Sequence, residues 1–200
     1  MMLAVLAAVL FAGWRSRRVP ALLWYFVAQA AYALVVFPAR FFLSDTSVFY
    51  AIIYATMTGV VLLSIVRIAW NAVITRQNSW RAVAIVGLLS VTVGRVAFME
   101  LDHPARYYDC IGIIEASALF WAALVLGAVS PYIIRWKVSF TLAILWFCQS
   151  WFRYGFYTHI PDKFWLALNW RIPPVLCIIG FILIGKFLDY DEMSQPQLEL

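Results

Sequence analysis

Charge is scarce in this chain. Asp, Glu, Lys and Arg together make up 12% of its 200 residues, about half the share of an average soluble domain. That scarcity excludes an ordinary water-soluble fold. It also limits what the net charge of +5 can mean, because the basic residues are divided among short segments between apolar runs and form no contiguous surface for nucleic acid. Cysteine is sparse too: Cys110, Cys148 and Cys177 lie far apart with no CxxC pair. They carry no metal-site or redox signature and read as small core hydrophobes. The two histidines, His103 and His159, fall outside the apolar runs, so neither is placed to ligate haem within a span. HExxH is absent, and no serine or cysteine nucleophile has a histidine nearby. No reaction and no cofactor is implied, and an enzyme using Glu115 or a histidine as acid or base is the weakest functional reading.

What the chain has in abundance is apolar length. Hydrophobic residues reach 65% and the mean hydropathy is +0.86, which predicts an all-α, polytopic transmembrane helix bundle. A crossing helix needs about 20 apolar residues, and seven segments approach that: Met1–Trp14, Val19–Phe37, Val48–Ala69, Trp80–Met99, Tyr108–Ser130, Val138–Tyr157 and Phe164–Phe187. The first is short, about 21 Å of helix. Its arginines Arg15, Arg17 and Arg18 follow the apolar run, the reverse of a cleaved signal peptide. Residues 1–188 are expected to form one transmembrane helical domain and 189–200 a short acidic cytoplasmic tail.

Loop charges predict the orientation, since Lys and Arg near span ends stay on the cytoplasmic side. One set of loops and ends holds Arg15, Arg17, Arg18, Arg67, Arg76, Arg81, Arg135, Lys137 and Lys186; the other holds Arg40, Arg106 and Lys163. With seven spans the N-terminus is then outside and the C-terminus cytoplasmic, in a plasma or bacterial inner membrane. The layout resembles the SWEET-type sugar transporters in topology alone, which does not carry function. A retinal protein would need a lysine in the middle of its last span, and Lys186 is at the end. The outer loops share a pattern, Pro38-Ala39-Arg40-Phe41-Phe42, Pro104-Ala105-Arg106-Tyr107-Tyr108 and Pro161-Asp162-Lys163-Phe164-Trp165. There a proline is expected to stop the helix while a cation and paired aromatics anchor the next one.

Against this apolar background four charges stand out inside predicted spans: Arg95, Glu115, Arg153 and Arg171. A charge at membrane depth is rarely kept without a partner, a wet cavity or a ligand. Counted from the outer-loop prolines, Arg95 lies nine residues before Pro104 and Glu115 eleven after it, Arg153 eight before Pro161 and Arg171 ten after it. Their depths differ by about one helical turn. Gln149, Asn169 and Gln29 fall near the same level as uncharged hydrogen-bonding groups. Three arginines against one glutamate leave a positive surplus, which points to an anionic guest, a lipid headgroup or acids of a partner, because the guanidinium fork grips phosphate and carboxylate well. The bland alternative pairs Glu115 with one arginine while the others snorkel to the interface. Pro173 and Pro174 directly follow this layer and predict a hinge or a pocket wall.

A second polar group lies just outside the spans. His103, His159 and Asp102 are weak metal candidates whose spacing matches no metal motif, so a solvated rim is expected there. The leading expectation is an integral membrane protein that binds or transports an anionic or amphipathic small molecule, or a lipid headgroup, in a cationic pocket of the outer half. The alternative is a non-catalytic subunit of a larger membrane complex. Expected partners are membrane lipids, an anionic small molecule, and a second copy or other membrane subunits, with no nucleic acid.

Overall fold

The structure, a computed structural model, describes residues 2–43, 47–74, 107–129, 135–158 and 163–194. The described residues form helices and no strand: α1 (Met2–Arg15), a 3-10 turn (Ser16–Arg18), α2 (Pro20–Phe42), α3 (Val48–Ile74), α4 (Tyr107–Val129), α5 (Trp136–Thr158) and α6 (Lys163–Ser194). Four stretches are long and apolar enough to cross a membrane, Pro20–Phe42, Val48–Asn71, Ile111–Ala128 and Arg171–Asp189. The chain is thus compatible with an integral membrane protein. Helix α5 matches α4 in length at 23 residues but is diluted by Lys137, Gln149, Ser150 and Arg153. The segment Trp80–Met99, expected to be a span, lies outside the described residues.

Two helix ends differ from the sequence expectation. Pro20 starts α2, where a missing N–H is harmless, but Pro38 does not stop it. The helix continues to Phe42, and the Leu43 N–H donates to the Ala39 carbonyl at 2.8 Å. A proline frees only the carbonyl four residues earlier, here that of Leu34, which is exposed. At the other end α6 runs on to Ser194, taking in the first part of the acidic segment. Leu188 is buried there, and Asp189 pairs with Arg15 at 2.6 Å.

Contacts fix the directions of the helices. Phe11 lies against Gly185 and Arg15 bonds Asp189, so α1 and α6 run parallel. Leu145 meets Gly180 and Gln149 meets Cys177, which makes α5 and α6 antiparallel. Gly127 faces Ala143 and Ser150 reaches Ala116, which makes α4 and α5 antiparallel as well. Tyr32 packs on Tyr54, and Val36 packs on Tyr50 and Tyr54, so α2 and α3 also oppose. One end of the bundle therefore gathers Arg15, Arg17, Arg18, Arg135, Lys137 and Lys186, and the opposite end has Arg40 and Lys163. We call the first the basic end.

Burial divides each helix into an inward and an outward face. The outward stripe of α5 is Trp136, Phe140, Ile144, Phe147 and Trp151, and that of α2 includes Trp24, Val27, Leu34 and Val35. Large apolar groups in such stripes suit hydrocarbon and would be a liability in water. Helix α4 is the central element, with 61% of its apolar window buried against 28% to 33% for the other three. The interior has two apolar clusters. The larger fills the basic half with Val9, Tyr25, Phe26, Ile65, Leu119, Leu142, Trp146, Phe181 and Ile184 among others. The smaller lies toward the opposite end, where Val36, Tyr50 and Tyr54 meet Ile111.

Candidate functional site: a polar belt between two apolar clusters

Between those clusters the interior turns polar. On α3, Thr58 follows Tyr54 of the smaller cluster and precedes Val61 of the larger; on α4, Glu115 lies between Ile111 and Leu119 in the same way. The polar face of α5 is Trp146, Gln149, Ser150 and Arg153, spaced so that all four side chains share one side of the helix. Each meets a different neighbour. Trp146 Nε1 donates to the Tyr25 hydroxyl of α2 at 3.1 Å, and Gln29, one turn along α2, shares a hydrogen bond with that hydroxyl. Gln149 Nε2 donates to Cys177 Sγ of α6 at 2.8 Å. Ser150 Oγ donates to the Ala116 carbonyl of α4 at 2.6 Å. Arg153 Nη1 donates to Glu115 Oε2 in an ion pair.

This arrangement follows from the cost of unpaired polar groups in an apolar interior. A buried hydroxyl or amide without a partner loses about 1–3 kcal/mol, so the polar face of α5 is stable only because three helices offer partners to it. The ion pair is asymmetric in exposure: the Glu115 side chain is 4% exposed and that of Arg153 27%. The carboxylate is therefore sealed, while the arginine side chain keeps part of its surface exposed. Thr58 is 1% exposed, and its Oγ1 has no hydrogen-bond partner.

The residues expected to form a site separate into three groups. Glu115, Arg153 and Gln149 come together in the belt, with Gln29 beside Tyr25. Arg171 stands near the belt's level on α6 but is exposed, in phase with the outward residues Val175, Ile179 and Ile182. The helical period carries it to the surface, so it does not turn inward with Glu115. Asn169 lies on α6, with its side chain outside the described set, and Arg95, His103, His159 and Asp102 lie outside the described residues. Pro173 and Pro174 are half-buried within a helix assigned as continuous through both. Among the described residues no group of three His, Cys, Asp or Glu could hold a metal ion.

Sequence reasoning passed over Ser150, Thr58, Tyr25 and the acceptor role of Cys177. Two of these had a signal. Ser150 is in helical phase with Trp146 and Arg153, and Thr58 with Tyr50 and Tyr54. Tyr25 and Trp146 are 121 residues apart, and nothing local couples them. No family model matches the chain, and it matches no curated protein and no solved structure.

Proposed function

We propose that this is a multi-pass membrane protein that binds the anionic head of an amphipathic molecule at Arg153 and Arg171, in the half of the bundle away from the basic end. The observation that carries this reading is the register of α5 against α6. One turn beyond the Gln149 to Cys177 contact, α5 carries Arg153 and α6 carries Pro173, and Arg171 is two residues further, about 3 Å along the axis. Two arginines thus stand at nearly one level on adjacent helices, both reach the surface, and Glu115 offsets one of them. A cation on an outward apolar stripe is stabilised by an anion at the same depth, and phosphate or carboxylate matches its fork.

Seven spans with an outside N-terminus accord with this reading. The basic end carries most of the described loop cations, which favours a cytoplasmic assignment for it. Helices α3 and α4 both run toward that end, since Ile111 packs beside Tyr50 and Tyr54 and later residues of both helices join the larger cluster. A plasma or bacterial inner membrane is the setting in which a positive-inside bias of this kind operates.

The test is lipid retention by the purified protein in mild detergent, read by native mass spectrometry with phosphatidylglycerol supplied. The wild type is expected to hold a lipid, and Arg171→Gln to weaken that binding at least about tenfold, the worth of one charge-assisted hydrogen bond. Arg40→Gln serves as an exposed control. Equal retention by all three proteins defeats the reading. Stoichiometric co-purification of another membrane chain, lost in Arg171→Gln, instead assigns the exposed arginine to a partner subunit's acid.

A further inference from the structure

The geometry points to a second anion site at the basic end, where Arg135 at the start of α5 holds the phosphate of an anionic phospholipid whose chain lies along the outward stripe of that helix. This site stands apart from the one proposed above, because Arg135 precedes Arg153 by 18 residues, about 27 Å along the helix. An unanswered cation leads to it. Arg135 is half-buried, and its Nη1 is buried with no hydrogen-bond partner. A guanidinium partly withdrawn from water needs an acceptor or an anion to offset the hydration it has lost. No described side chain supplies one, since Asp189, the acid described at this end, is engaged by Arg15 at 2.6 Å. Arg135 still keeps part of its surface open. The charge is delocalised over the whole fork, so an anion arriving on the open part offsets it while Nη1 stays covered.

The neighbouring residues give that anion a chain. Trp136 is 50% exposed and heads the outward stripe that continues through Phe140, Ile144, Phe147 and Trp151. From Trp136 to Ile144 the stripe covers about 12 Å of helix, close to the ~15 Å depth of one leaflet. The Lys137 ammonium stands 5.9 Å from the centre of the Trp136 ring, which places a further cation where an indole meets headgroups. A phosphate without a chain would use the arginine and leave the stripe uncovered. The orientation proposed above sets this end at the cytoplasmic leaflet, whose anionic phospholipids are drawn to basic residues at its surface. Phosphate also matches the guanidinium fork.

The test uses the full chain in mild detergent with Arg171→Gln as background, so that the site at the opposite end is weakened and losses at this one are read separately. Dihexanoylphosphatidylglycerol is titrated and its Kd read by native mass spectrometry, with glycerophosphoglycerol as the same head without chains. Arg135→Gln is expected to weaken lipid binding at least about tenfold, the loss of one charge-assisted hydrogen bond. Arg135→Lys keeps the charge without the fork and is expected to fall between the two. Lys186→Gln, which removes one charge from an exposed position at the same end, is expected to change Kd less than about twofold, because an exposed charge is screened.

Equal losses in Arg135→Gln and Lys186→Gln would mean diffuse attraction to a basic surface, and they overturn the site. An unchanged Kd in Arg135→Gln overturns it as well. Binding of the chainless head as tightly as the lipid overturns the assignment of a lipid. A tenfold loss in Arg135→Gln supports the proposal whether or not Arg171→Gln weakens retention, so the two sites fail independently.

Discussion

Arg153 of α5 grips the carboxylate of Glu115, a residue of the central helix that is only 3% exposed. The pair joins α4 to α5 and closes the polar belt on the side away from the basic end. Its energetics set the first expectation. Breaking a buried pair from one side leaves an uncompensated charge, at about 3–5 kcal/mol, whereas replacing both members with apolar groups of similar volume can be neutral. Arg153→Met alone is therefore expected to destabilise the protein strongly in detergent unfolding, and Arg153→Met with Glu115→Leu to recover most of that loss. A double variant no better than the single one would show that the pair is not an isolated unit.

The contact between Tyr25 and Trp146 makes a second expectation. Tyr25→Phe leaves the Trp146 indole N–H without its acceptor inside the larger cluster, a loss of about 1–3 kcal/mol. Trp146→Phe in the same background removes the orphaned donor along with indole packing. The double variant is expected to lose less than the sum of the two single losses, by more than about 0.5 kcal/mol. Additive losses would mean that the two rings merely pack edge to face.

Gly185 permits the close approach of α1 to α6. A Cβ at that position would run into the Phe11 ring, so a larger residue must displace the ring or the helix. Gly185→Val is expected to lower stability by about 1–3 kcal/mol through overpacking. Phe11→Ala in the same protein is expected to relieve most of that strain. Thermal unfolding of the three variants settles it, and an equal loss in the Phe11→Ala background would locate the strain elsewhere.

The Arg15 to Asp189 bridge holds the same two helices at the basic end but is expected to matter little. Its side chains are 41% and 31% exposed, and exposed ion pairs contribute at most about 1 kcal/mol before screening by salt. Asp189→Asn is expected to shift unfolding only slightly at low ionic strength and not at all in about 1 M salt. A large, salt-insensitive loss would mean that the end of α6 depends on the bridge.

How much of this was legible beforehand differs by residue. The helical class followed from apolar length, as did the presence in α2, α3, α4 and α6 of stretches long and apolar enough to cross a membrane. Glu115, Arg153 and Gln149 were visible as polar residues in apolar runs, and their common depth was readable by counting from prolines. Helix ends were less legible. Pro38 sits inside α2, since one missing hydrogen bond near a helix end does not outweigh the next turn, which closes with the Leu43 to Ala39 bond.

The sequence by itself determined that the chain forms apolar helices with a few charges at a shared depth, because composition and counting along a helix need no knowledge of neighbours. Only the tertiary structure decided which of those charges meet. Facing depends on the angle at which each helix presents itself and on which helix stands beside it, and it turned Glu115 and Arg153 toward each other while turning Arg171 outward. The same packing joined Tyr25 to Trp146 across 121 residues and left Thr58 buried without a hydrogen-bond partner in the belt. Those relationships arise from contacts between helices, and a one-dimensional pattern contains depth but not direction.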